Sequence, residues 1–214
     1  MKKFSISTIL FLFFATLMMA QVDKTQLSLD IEARYQKNFA ELSQYTWQRE
    51  TQVQINKVVK YTSTSAVSIG PDGKPIAQVI EKKSQLQQEP DNEEQELTAY
   101  VESALKLVSE YIFMSQSQMV DLFNIGTVSE INDTYQVQAF GFIVEGDNLN
   151  FLYKKNTLDC VSQTVNTKMD GDDVMALVEY KIFDGMFMVK QIALELPAKK
   201  LDAVAVNSKW AKKL

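Results

Sequence analysis

Residues 45–69 read YTWQRETQVQINKVVKYTSTSAVSI, and their alternation decides the fold class. Tyr45, Trp47, Val53 and Ile55 fall on one side of an extended chain, with Gln48, Glu50, Gln52 and Gln54 on the other. A period of two is what a strand with one buried face requires. Val59, Tyr61, Ser63, Ser65, Val67 and Ile69 share one face of a second run. Gly70-Pro71-Asp72-Gly73 then supplies a turn, with φ preset at the proline and permissive at the glycines. Residues 76–83 complete a three-stranded meander.

Upstream, Leu27, Ile31, Tyr35, Phe39 and Leu42 recur every three or four residues and form the apolar stripe of a helix. Downstream, residues 85–96 (QLQQEPDNEEQE) form an acidic connection. Asp91 or Asn92 suits the cap of the next helix, and Glu93, Glu94 and Glu96 suit the positive end of its dipole. That helix carries a wide apolar face: Leu97, Tyr100, Val101, Ala104, Leu105, Val108, Tyr111 and Ile112. A shorter helix over 117–124 stops at Gly126, a natural C′ residue. Six apolar runs follow, at 135–144, 149–153, 158–167, 174–183, 186–196 and 201–206, separated by Gly-, Asp-, Asn-, Lys- and Pro-rich turns. Short connections make them neighbours in order. The fold class expected is α+β: a strongly curved antiparallel sheet (a half-open barrel) of about nine strands, covered by an N-terminal helix and two central helices.

Residues 1–20 have the plan of a secretory leader, with Lys2 and Lys3 before an apolar stretch and Ala20 before the expected cleavage. About a dozen apolar residues fall short of the ~20 that span a bilayer, so removal rather than anchoring is expected. No cysteine follows to carry a lipid. One domain over 21–214 is expected, in the periplasm or secreted, and not membrane-spanning once the leader is gone. Lys and Arg number 22 against 27 Asp and Glu, and loss of Lys2 and Lys3 takes the net charge from −5 to −7. Such a surface repels phosphate backbones, so nucleic acid is not an expected partner.

The chain has no histidine and one cysteine, Cys160. Ser-His and Cys-His nucleophiles, imidazole metal sites and an intrachain disulfide are thereby excluded. Asp170-Gly171-Asp172-Asp173 resembles a calcium loop at its start, but Lys181 stands where the twelfth-position glutamate belongs. A hairpin turn is the simpler reading. No cofactor, metal or catalytic residue is expected, and Cys160 reads as a packed thiol.

Two features point to binding. Arg49 continues the apolar face of Tyr45 and Trp47, so its guanidinium either points inward, where it must be paired or meet a ligand or lid, or snorkels to water along Trp47. Runs apolar on both faces, such as 140–144 and 183–189, carry a surplus of large flexible side chains. They fill a core or line a pocket for a greasy ligand. The candidate ligand-binding residues are Trp47, Arg49, Phe140, Phe142, Phe151, Met186 and Met188.

The order of elements resembles the periplasmic lipoprotein-carrier superfamily. More closely, Tyr45-Thr46-Trp47 with Arg49 and Glu50, residues 70–75 (GPDGKP), and Leu201 through Asn207-Ser208 resemble a family of uncharacterised exported bacterial proteins. The carrier resemblance implies a half-open barrel with a helical lid over an apolar cavity, holding a lipid, a lipoprotein acyl chain or another hydrophobic ligand without covalent chemistry. It also implies that an inward Arg49 holds the lid. The expected partner is a hydrophobic ligand or lipidated client. The alternative is a cell-envelope interaction module with a closed core, no ligand and a protein partner.

Overall fold

A computed structural model describes residues 22–84 and 92–213. The leader expected at 1–20, Asp91 and the side chain of Asn92, and with them the expected cap, lie outside what is described. The meander read from residues 45–83 is present as β1 (Tyr45–Ile55), β2 (Val58–Ile69) and β3 (Pro75–Ser84). Helices α1 (Lys24–Leu42), α2 (Asn92–Ile112) and α3 (Gln116–Ile125) also form where the stripes predict them. Seven strands follow α3: β4 (Thr127–Ile131), β5 (Thr134–Phe140), β6 (Asn148–Lys154), β7 (Cys160–Met169), β8 (Asp172–Phe183), β9 (Met186–Leu196) and β10 (Leu201–Lys212). The fold is α+β, with ten strands rather than about nine. The addition is β4, five largely exposed residues with too little apolar character to be read as a strand.

All neighbouring strands pair antiparallel in one open sheet of order β3-β2-β1-β10-β9-β8-β7-β6-β5-β4. β10 therefore returns beside β1 and joins the two limbs of the sheet. No helix among the described residues is long and apolar enough to cross a membrane.

The helices fill the β4–β9 limb. Asp23 caps α1 by accepting from the Thr25 and Gln26 amides at 3.0 and 3.1 Å. The stripe Leu27, Ile31 and Tyr35 is buried in the main core, where the Tyr35 ring meets those of Tyr153 and Phe187. Arg34 pins the same helix to the other elements. It pairs with Asp159 at 2.6 Å, donates to the Gly185 carbonyl at 2.9 Å and stacks over Phe187. Ser115 and Gln118 form a reciprocal capping box on α3. Gly126 ends that helix in extended rather than left-handed backbone. Glycine is required there for space, since a Cβ would lie 2.6 Å from the Leu122 carbonyl oxygen.

Two local departures have clear causes. The run 140–144 is not strand to its end. Gly141 turns out of β5 at φ +64°, and the Asp147 carboxylate accepts the Ile143 and Val144 amides at 2.9 and 2.8 Å, taking them from the ladder. Asp147 is 0% exposed and also accepts the hydroxyls of Tyr111 (2.7 Å) and Thr167 (2.6 Å), tying α2 to β7 and this loop. The second departure is a split between β9 and β10. Their pairing ends at Gln191 and Val206, beyond which β9 continues with β8 alone and β10 with β1 alone. Polar side chains occupy the split. Asn38 of α1 exchanges two hydrogen bonds with the Phe187 backbone, both 2.9 Å, and Asn207 donates to the Val189 carbonyl at 3.0 Å.

Asp147→Ala removes the buried carboxylate that accepts from two hydroxyls and two amides. It is expected to cost about 3 kcal/mol and to lower the melting temperature by roughly 6–12 °C, measured by thermal denaturation.

Candidate functional site

On the β1–β3 limb, one helix faces three strands. Here the inward positions are small: Thr51 on β1, Ser63 and Ser65 on β2, and Ala77 on β3. They face Val101, Leu105 and Ser109 of α2 without filling the space between. A cavity of about 400 Å³ results, open to solvent on one side. Tyr61, Val79, Val101 and Leu105 form its apolar walls. A bulge in β3 opposite Thr64 and Ser65 turns both Val79 and Lys82 toward α2. The mouth is bridged at its two ends, by Lys74 to Glu110 at 2.6 Å and by Lys82 to the Thr98 hydroxyl at 3.2 Å.

Arg49 lies at the inner end of the cavity, 9% exposed. The register sets it between Asn207 of β10 and Ser65 of β2, all three on the inward face. Its Nε donates to Asn207 Oδ1 at 3.2 Å, and the same oxygen accepts from Trp47 Nε1 at 3.1 Å. Among the described residues no carboxylate forms an ion pair with Arg49. Burial pulls its pKa down from 12.5 to about 10. It stays charged at neutral pH, at a cost to the folded state on the order of 3 kcal/mol. Because the folded value is the lower one, that cost stands in full below about pH 10 and fades only above it. Of the two orientations open to Arg49, the inward one is adopted.

The other candidate residues are dispersed. Trp47, Met186 and Met188 pack together with Leu42, Tyr45 and Val67 in a second apolar cluster, where Trp47 stacks on Trp210 at 4.5 Å. That cluster fills the split beside the cavity, leaving about 10 Å³ between Trp47, Arg49 and Asn207. Phe151 is in the main core, Phe142 packs half-buried against that core, and Phe140 is 69% exposed at the end of β5. None of these three phenylalanines lines the cavity. The hydroxyls of Thr51, Ser63, Ser65 and Ser109 were not singled out by the sequence. The signal that finds them is register: they fall on the parity of Arg49 or face it from α2.

Cys160 is packed, as expected. It sits under α1 with Tyr35, Gln163 and Tyr180, and burial pushes its thiol up to about 12. Asp170 and Gly171, both at positive φ, form the hairpin turn between β7 and β8.

No family model matches the sequence, and no curated protein matches it. Solved structures do. The crystal structure of a DUF1329 family protein from Desulfovibrio piger matches with a TM-score of 0.50 and 13% identity, covering 90% of this chain and 95% of that one. The two chains share a fold. A LolA superfamily protein from Nitrosomonas europaea matches with a TM-score of 0.41 and 8% identity, over 87% of this chain and 93% of that one. The resemblance to an uncharacterised family drawn from the sequence thus has a neighbour that shares the fold.

A buried cation without an acidic partner contributes little to folding. Arg49→Met is therefore expected to melt at or above the wild-type temperature, within about 2 kcal/mol on the stabilising side. A loss of more than about 2 kcal/mol in urea denaturation would instead make Arg49 a structural residue.

Proposed function

We propose that this chain is a non-enzymatic binding protein of the bacterial periplasm, which holds a hydrophobic ligand between α2 and strands β1–β3. The observation that supports this reading most is the cavity itself. Its volume of about 400 Å³ falls in the range of small-molecule sites, and its walls combine apolar side chains with a few convergent polar groups. Elsewhere the same sheet is packed with large aromatic side chains, so the space on this limb follows from small residues at inward positions. Binding needs no covalent step, and the absence of histidine from the chain fits that.

A bulky side chain on the wall tests the site. Ala77 is exposed on the edge strand β3 and lines the cavity, so Ala77→Trp is expected to leave the melting temperature nearly unchanged. It should weaken uptake of an apolar fluorescent probe such as N-phenylnaphthylamine at least tenfold. Equal uptake by both proteins would remove the cavity from consideration.

A second reading, an envelope interaction module, draws on the outer side of β3. This strand ends the sheet and leaves Ile76 and Ile80 half-exposed. A specific protein partner lost on Ile80→Lys, with probe uptake intact, would favour it. Export itself is tested by mass: protein recovered from a periplasmic extract is expected to begin at Gln21, and retention of residues 1–20 would refute the leader reading.

A further inference from the structure

The guanidinium of Arg49 makes one hydrogen bond, through Nε, and its two terminal nitrogens have no partner among the described residues. Arg49 lines the cavity, whose other charged lining groups are Lys74, Lys106, Asp72, Glu102 and Glu110. Those five stand where solvent reaches them, and Lys74 neutralises Glu110. Arg49 alone is buried. Nearby, Thr51, Ser65 and Ser109 are also buried, and the Ser109 hydroxyl donates to the Leu105 carbonyl at 2.8 Å, so its own oxygen remains free to accept. A charge in such a place is costly unless something pairs it, and among the described residues no acid forms an ion pair with Arg49. A planar fork of N–H donors matches the oxygens of a carboxylate or phosphate.

Size sets the rest of the ligand. An apolar cavity of ~150 Å³ just accommodates benzene. On the same scale, about 400 Å³ takes on the order of sixteen heavy atoms, one acyl chain of medium length and not two. We infer that the cavity selects a single-chain anionic amphiphile, its acidic head against Arg49 and its chain along Tyr61, Val79, Val101 and Leu105. This inference rests on the cavity being the ligand site, and it names the class of ligand.

The test compares ligands of one chain length and different heads: myristate, tetradecyl phosphate and tetradecanol, each titrated calorimetrically into the purified protein. A charge-assisted hydrogen bond is worth about a tenfold or greater difference in affinity. Myristate or the phosphate is expected to bind at least that much more tightly than the alcohol, and whichever leads identifies the head. In Arg49→Met the gap should close while tetradecanol binds as in the wild type. Arg49→Lys, which keeps the charge without the fork, should retain part of the preference. Equal affinity for acid and alcohol in the wild type would overturn the inference and leave the cavity reading standing. Failure of all three to bind would overturn both. The wild-type comparison decides the matter even if a variant does not fold.

Discussion

The side-chain amide of Asn207 joins the two limbs of the sheet where the ladder between them stops. β9 and β10 part after Gln191 and Val206, and an unpaired stretch inside a sheet exposes backbone groups that must find partners. Asn207 donates to the Val189 carbonyl across the gap while its oxygen accepts from both Trp47 and Arg49. One residue thereby replaces a missing rung, orients the indole that fills the split and holds the guanidinium at the cavity's inner end. Asn38 does the matching work from the helical side, reading the Phe187 backbone as a neighbouring strand would.

The split also explains why the molecule is solid on one side and hollow on the other. β4–β9 curve around α1 and α3, and Tyr35, Phe123, Phe151, Tyr153 and Phe187 fill the interior between them. Past the split, β1–β3 turn toward α2 and present Thr51, Ser63, Ser65 and Ala77. Interiors close-pack where side chains allow it. Small residues on three adjacent strands, facing a single helix, do not. The cavity is a consequence of side-chain volume at specific register positions.

Much of this was legible in the sequence. Alternation over 45–69 placed Arg49 on the face of Tyr45 and Trp47, because parity along a strand is a strict geometric property, but left open whether its guanidinium turns inward or to water. Helical stripes located α1, α2 and α3 for a similar reason. The split was not legible, since nothing in residues 186–191 or 206–212 marks where a ladder ends; it depends on how two sheet limbs twist relative to each other. The apolar excess over 183–189 did signal something, as Met186 to Val189 are buried on both faces. The face turned from the main core meets Trp47 and Trp210, a filled cluster rather than a pocket. Phe140 misled for the converse reason. Large apolar residues often remain exposed, and parity at the end of β5 turned it outward while Asp147 drew the following residues into a loop.

Arg49 shows the balance between stability and binding most directly. Its desolvation opposes folding by an amount comparable to a good part of a domain's net stability. Asn207 returns only one neutral acceptor, at 3.2 Å, which offsets a fraction of that cost. A methionine or leucine of similar reach would pack against the same walls at no such expense. On the proposed reading, a residue that selection for stability alone would replace is explained by what enters the cavity. When an acidic head arrives, the charge already stands desolvated and aligned, so the cost of preparing it has been met in folding rather than at binding. Preorganisation of that kind converts a folding penalty into affinity, and it favours the one class of ligand that can neutralise the guanidinium.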